Sequence, residues 1–169
     1  MPVKKTISCS AGIKVLIDMK IEFVLTGSTS EKWINEAIQQ YSKRLQHYIE
    51  FRVHEINIPK RISVLPQRQQ QEEEGKLLLS YLDAFDIVVL LDERGISMGS
   101  VDFSSYLQKL MNSGVRRLAF VTGGPYGFSD EVYQKGYGMI SMSKMTFSHQ
   151  MVRIFFIEQL YRAFTILRN

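Results

Sequence analysis

The sequence predicts a single α/β domain in which a mostly parallel sheet is flanked by helices. Phe85 to Leu91 is an unbroken apolar run, the pattern of a strand covered on both faces. Short strand-like runs alternate with helix-periodic segments. Glycine- and serine-rich loops follow two of the strands and lead into helices. At 169 residues, with 45% hydrophobic and 22% charged side chains, the chain can bury one core unaided.

The chain in order supports this. Residues 1–18 hold Lys4 and Lys5 and a weakly apolar run broken by Lys14, too short and too charged for a secretory signal. They read as a leader outside the fold, and residues 19–169 as the domain. Ile21 to Thr26 is the first strand, and Ser30 is placed to cap a helix from Glu31 to Ile49. Trp33, Ala37, Tyr41, Leu45 and Tyr48 share one stripe of that helix. Phe51, Val53, Ile56 and Ile58 mark a second strand whose alternation slips at Glu55, which suggests a bulge. The tract Gln67 to Glu74 reads as a solvated helical face leading into Leu77, Leu78 and Leu79. Phe85 to Leu91 is expected to be central and to end abruptly at Asp92-Glu93-Arg94-Gly95. Ser100 is placed to cap a helix that ends at Gly114, and Val115 to Thr122 is the next strand. Ser129 is expected to cap a short helix to about Tyr137, followed by a brief strand from Met139 to Met142. The final helix, His149 to Leu167, is apolar around nearly its whole circumference, so a second face needs cover, and a homodimer is the expected source.

Composition excludes several function classes. No apolar run reaches the roughly 18 residues of a membrane span, so the reading is a soluble, cytoplasmic protein. Cys9 is the only cysteine, which rules out an internal disulfide framework or a cysteine-built zinc site. His47, His54 and His149 lack metal-ligand spacing, and no metal is implied. Net charge is +4, two units of which reside in residues 1–18. That mild excess permits an RNA partner without requiring one.

Gly123-Gly124-Pro125-Tyr126-Gly127 fits neither the dinucleotide fingerprint nor the phosphate-loop spacing. Taken alone it is equally well a strand-to-helix turn. The stronger signal is convergence. Loops at 91–95, 122–129 and 141–149 would meet at the carboxyl edge of one parallel sheet, where open α/β folds bind ligands.

The glycine loop, the Ser141-x-Ser-x-Met-Thr-x-x-His149 segment, and Val152-Arg153 through Glu158-x-Leu-Tyr-Arg162-Ala163-Phe164 closely resemble the RlmH family, small ribosomal RNA methyltransferases of the SPOUT class. The resemblance covers Met19 to Asn169. It implies a SPOUT-type α/β sheet with a C-terminal trefoil knot, and S-adenosyl-L-methionine as cofactor. It also implies methylation of N3 of a pseudouridine in 23S rRNA on the assembled ribosome by a homodimer. Carried across, the cofactor contacts fall on Leu91, Gly124 and Ser143, Lys144, Met145, Thr146, Phe147 and Ser148, with Gly124 leaving room for the cofactor. Arg162 would stabilise charge on the uracil ring or hold a phosphate. His149 would act either as a base or as the cap of the final helix, and Arg153 would be structural or position RNA. Family members usually continue into a Pro-Tyr-His-His tail, whereas this sequence ends at Arg168-Asn169. A knotted tRNA methyltransferase and a non-catalytic ribosome assembly factor are the alternative readings.

Overall fold

The computed structural model describes residues 5–8 and 14–168, with side chains from residue 18 onward. The remaining leader residues, 1–4 and 9–13, lie outside the described residues. The elements run β1 (Lys5–Ser8), β2 (Lys14–Ile17), β3 (Lys20–Thr26), α1 (Lys32–Leu45), β4 (Glu50–Ile56), α2 (Lys60–Ser63) and α3 (Gln67–Leu82). They continue with β5 (Ile87–Ser97), α4 (Ser100–Asn112), β6 (Arg117–Thr122), α5 (Asp130–Lys135), β7 (Gly138–Ser141) and α6 (His149–Arg168).

β1 and β2 pair antiparallel as a separate two-stranded sheet. The main sheet has the order β4-β3-β6-β5-β7, and every pairing in it is parallel. β6 is the central strand, and β5 is internal but one place off centre. Leu118 to Thr122, Phe23 to Thr26 and Val88 to Leu91 are buried without a break because helices cover both faces. One face carries α1, α4 and α6 over Phe23, Phe120 and Val89. The other carries α3 and α5 over Val24, Val121 and Leu90. At the heart of the first face Phe156 packs on Phe23 and Phe120 at ring-centroid distances of 4.6 and 4.8 Å. Each such fully buried aromatic is worth about 2–3 kcal/mol by transfer.

Several local expectations change. α1 starts at Lys32 with Glu31 before it and no side-chain cap, so Ser30 does not cap it. Its buried stripe is Ile34, Ile38 and Leu45, rotated from the expected one, and Trp33 is exposed. Aromatic size suggested burial for Trp33, but the β-branched isoleucines one position on face the sheet. β3 and β4 stay in register from Lys20↔Glu50 to Thr26↔Ile56, without a bulge at Glu55. β4 is an edge strand, and its half-polar pattern reflects exposure rather than a slip. Ser100 is the first residue of α4, with Gly99 at the cap position, and its hydroxyl donates to Gln159 Oε1 at 2.7 Å; Ser129 holds the cap position of α5 without a side-chain cap hydrogen bond.

β5 does not stop at Asp92. Leu91 and Ile96 both register with Ile140 of β7, so residues 92–95 bulge out between them and the strand resumes to Ser97. Gly95 makes this possible, because a Cβ there would sit 2.6 Å from the backbone nitrogen of Ile140. The apolar circumference of α6 is used largely within the chain, where α1, α4 and the sheet each cover part of it; Phe155 remains 38% exposed. Among the described residues no helix is long and apolar enough to cross a membrane.

α6 is fixed to the sheet by a buried cation. Arg153 is fully buried and donates to the Thr29 hydroxyl at 2.7 Å and to the carbonyls of Thr26 and Gly27 at 3.0 and 3.2 Å. The Thr29 hydroxyl in turn donates to Glu55 Oε1 at 2.7 Å, and that carboxylate lies 4.0 Å from the guanidinium. Burial pushes the Arg153 guanidinium down from its ordinary value, and Glu55 opposes the shift. Replacing Arg153 with Met should destabilise the fold by about 3 kcal/mol, since three acceptors lose their donor. Glu55→Gln should cost clearly less. Urea denaturation of the three proteins checks the order.

Candidate active site

The three loops that the sequence places at the carboxyl edge of the sheet do meet there. They enclose a cavity of about 710 Å³, within the usual range for a small-molecule site. The end of the regular part of β5 contributes Leu91 and its bulge Asp92, Glu93 and Arg94, the glycine loop contributes residues 122–128, and the third loop contributes Ser141 to Ser143 and Met145 to Phe147. His149 and Val152 close it from the first turn of α6, and Gln67 and Gln71 from α3.

Each loop is shaped by its own short hydrogen bonds. In the glycine loop the Gly127 N–H donates to the Gly124 carbonyl at 3.1 Å, and Gln71 Nε2 donates to the Tyr126 carbonyl at 2.5 Å. In the third loop the Ser141 hydroxyl donates to the Ser143 carbonyl at 2.8 Å, and the Met145 N–H donates to Ser143 Oγ at 2.9 Å. The Ser148 hydroxyl accepts from the Met151 N–H at 3.3 Å, and the Ser148 carbonyl accepts from the N–H groups of Met151 and Val152. Ser148 therefore occupies the cap position of α6, and His149 is the first helical residue rather than the cap.

Of the residues that sequence reasoning singles out, Leu91, Gly124, Ser143, Met145, Thr146, Phe147 and His149 line the cavity. Lys144 and Ser148 belong to the same loop but do not line it, and Lys144 is exposed. Phe147 packs on Phe155 with ring centroids 4.6 Å apart, and Met145 is 75% exposed. Arg162 is not among these groups. It lies 13 residues beyond His149, about 20 Å along the helix at about 1.5 Å per residue. There it pairs with Glu158 at 2.6 Å on an exposed surface.

With this geometry the chain was compared with known proteins. The model of the predicted SPOUT methyltransferase family matches residues 19–169. A relative from Christiangramia forsetii, ribosomal RNA large subunit methyltransferase H, is 55% identical over 151 residues, covering 89% of this chain and 96% of its own. Relatives of the same name from Flavobacterium psychrophilum and Parabacteroides distasonis are 54% and 50% identical over the same length. The chain belongs to the RlmH family of SPOUT methyltransferases. Among solved structures, a probable methylase family protein from Haemophilus influenzae Rd KW20 shares the fold, with a TM-score of 0.53 at 12% identity, over 89% of this chain and 66% of that one.

Two features of this family member's site were missed in the sequence. The first is a cluster on the bulge. Tyr133 of α5 donates its hydroxyl to Asp92 Oδ2 at 2.6 Å, the Arg94 N–H and guanidinium both donate to Asp92 Oδ1, and the guanidinium lies 4.3 Å from the Tyr133 ring centroid. Burial alone would raise the Asp92 carboxyl, but these donors more than offset it and hold it below the ordinary carboxylate range. Burial and the Asp92 charge push the Tyr133 hydroxyl up. The contact joins residues 41 apart, which no local pattern announces.

The second feature is Glu74. The tract that reads as a solvated face has a buried side, where Gln70 and Glu74 are only 5% and 3% exposed. An ideal Cβ on Gly124 would lie 2.3 Å from Glu74 Oε2. The space that glycine leaves open at Gly124 is therefore filled by the α3 carboxylate, not reserved for a ligand.

His149 is pushed below its ordinary value by burial and, secondarily, by the Arg153 charge, which favours the neutral imidazole. For His149 and Asp92 alike the fold binds fewer protons than the unfolded chain, so both contributions are lost as pH falls. A depressed carboxyl stabilises the fold above its unfolded value, and the gain is lost as pH falls through its folded value. Tyr133→Phe should therefore cost about 1 kcal/mol at neutral pH. Urea midpoints across an acid series should show parent and variant converging once Asp92 is protonated in both.

Proposed function

We propose that the chain is an S-adenosyl-L-methionine-dependent methyltransferase that modifies N3 of a pseudouridine in 23S rRNA on the assembled ribosome. The observation that carries the reading is the convergence of three strand-end loops on one cavity in a chain 50–55% identical to proteins named ribosomal RNA large subunit methyltransferase H. A cytoplasmic location, a homodimer and a C-terminal trefoil knot belong to the same reading.

The residues present suit the methyl donor. Asp92, Glu93 and Asp130 line the cavity against the single cation Arg94, an acidic balance that favours a ligand bearing a sulfonium and an ammonium. Leu91, Met145, Phe147 and Val152 offer apolar surface for a purine, and the glycine and third loops offer main-chain amides and carbonyls for its polar edges. When bound, the donor would supply an electrophilic methyl group. The chain's own work is then to orient and to manage one proton.

Orientation comes from loops braced by Gln71, Ser141 and Ser143, which hold the site without rearrangement. A neutral His149 at the cavity wall is suited to accept a proton at a ring nitrogen as N3 becomes nucleophilic. Arg162, about 20 Å along α6 from that wall, can stabilise charge on the uracil only from the partner subunit of a dimer. The partly exposed Phe155 on α6 favours such a partner.

The test incubates the protein, as it stands and with a family-type C-terminal tail appended, with radiolabelled S-adenosyl-L-methionine and ribosomes lacking the modification. Label in the large-subunit RNA is the expected outcome, and label on purified tRNA alone would favour the tRNA reading. No label in either form, together with no calorimetric donor binding, would overturn the enzyme reading. Gly124→Val would drive a side chain into the Glu74 carboxylate, so it should lower donor affinity and thermal stability together, and normal binding with normal stability would reduce the loop to a turn. His149→Ala should lower kcat at least tenfold, with a much smaller change in donor affinity.

A further inference from the structure

The surface between α3 and the glycine loop carries an arrangement that loop support alone does not explain. Glu74 is almost fully buried, and one of its oxygens, Oε1, accepts from Gln70 Nε2 at 2.7 Å. The other, Oε2, is the atom against Gly124 and has no hydrogen-bond partner among the described residues. At the two ends of the loop the buried hydroxyl oxygens of Thr122 and Ser129 are likewise unpartnered. α3 comes this close because residue 75 is glycine, whose Cβ would otherwise lie 2.2 Å from Ser129 Oγ.

A carboxylate buried with one neutral donor is costly unless it acts on something. Here the missing side chain of Gly124 leaves only the thickness of the backbone between Oε2 and the cavity that Gly124 lines. Among the described residues no cation pairs with Glu74: on the same helix Lys76 pairs with Glu73 at 2.5 Å and Arg68 with Glu72 at 3.2 Å. Among the described residues the Glu74 carboxyl thus has no counter-ion, and its unpartnered Oε2 faces the back of the loop that lines the cavity.

We propose that Glu74 is a selectivity residue of the donor pocket, placing a negative charge behind Gly124 so that the pocket favours a donor with a positively charged sulfur over its uncharged product. This rests on reading the cavity as the methyl-donor site. Methyl transfer converts the sulfonium to a thioether, the sulfur keeping the electron pair of the broken S–C bond, so the site loses one positive charge at turnover. A fixed carboxylate one loop away holds the donor and relaxes its grip on the product. Burial pushes the Glu74 carboxyl up while Gln70 opposes it, and a cation across the loop draws it back toward the ionised form.

The experiment measures S-adenosyl-L-methionine and S-adenosyl-L-homocysteine affinities by calorimetry for the parent, Glu74→Gln and Glu74→Asp, with thermal unfolding to confirm folding. Glu74→Gln keeps shape and hydrogen bonding but removes the charge. It should weaken donor binding at least about tenfold, as expected for unit charges within about 12 Å of each other at an effective dielectric near 20, and product binding less than about twofold. Glu74→Asp should retain the preference for the donor. Equal weakening of both ligands, or no weakening, would overturn the proposal. If Glu74→Gln does not fold, Glu74→Asn against Glu74→Asp repeats the comparison at a shorter length. A parent protein that binds neither ligand would refute the donor-site reading and this inference with it, whereas normal parent binding with an unchanged ratio refutes this inference alone.

Discussion

The site depends on one buried cation. Apolar burial drives α6 onto the sheet but is not directional, and a helix with apolar residues on most sides has several ways to seat itself. Arg153 removes that freedom. Its planar fork reaches the Thr29 hydroxyl and the carbonyls of Thr26 and Gly27, all at the carboxyl end of β3. A lysine has no fork, and an aliphatic side chain would leave the acceptors bare. With Arg153 seated, the first turn of α6 is fixed, and His149 falls on the wall of the cavity that Leu91 and Gly124 also line. The guanidinium that fixes the position of His149 also lowers its proton affinity, so one residue sets both geometry and charge at that wall.

What could be read from the sequence follows from what each pattern reports. Strand positions were legible because a sheet covered on both faces needs continuous apolar runs, and Phe23 to Thr26, Val88 to Leu91 and Leu118 to Thr122 supply them. The three loops were legible because strand ends in a parallel sheet share one edge. Rotation of α1 was not, since Trp33 and Ile34 are both apolar and only the packing against α6 and β4 separates them. The continuation of β5 past Asp92 was hidden because the four-residue bulge is polar, and only the approach of Gly95 to Ile140 permits it.

The harder miss was α3. Charge and glutamine density between Gln67 and Glu74 describe the helix's solvent side correctly, but composition is averaged over faces. Gln70, Glu74 and Gly75 lie on the buried side of the helix, where Gln70 bonds Glu74, while Glu74 and Gly75 abut Gly124 and Ser129 some fifty positions later. Periodicity analysis weights apolar residues, so a buried face built from Gln, Glu and Gly is invisible to it. The same blindness hid the Asp92, Arg94 and Tyr133 cluster, which joins the β5 bulge to α5.

These two misses share a physical cause that bears on how the pocket works. Its loops present mainly backbone, which can shape a cavity but cannot give it strong net charge. Charge has to come from elements behind or beside the loops: Asp92 held by Tyr133 and Arg94 on one side, and Glu74 of α3 on the other. Bracing Asp92 from α5 and seating Glu74 on α3 ties both carboxylates to helices, so the field across the cavity is set before any ligand arrives. Glycine at 124 is then the natural consequence, because any Cβ there would collide with the carboxylate whose field must reach the cavity. The glycine loop is thin for the sake of what lies behind it as much as for what lies in front.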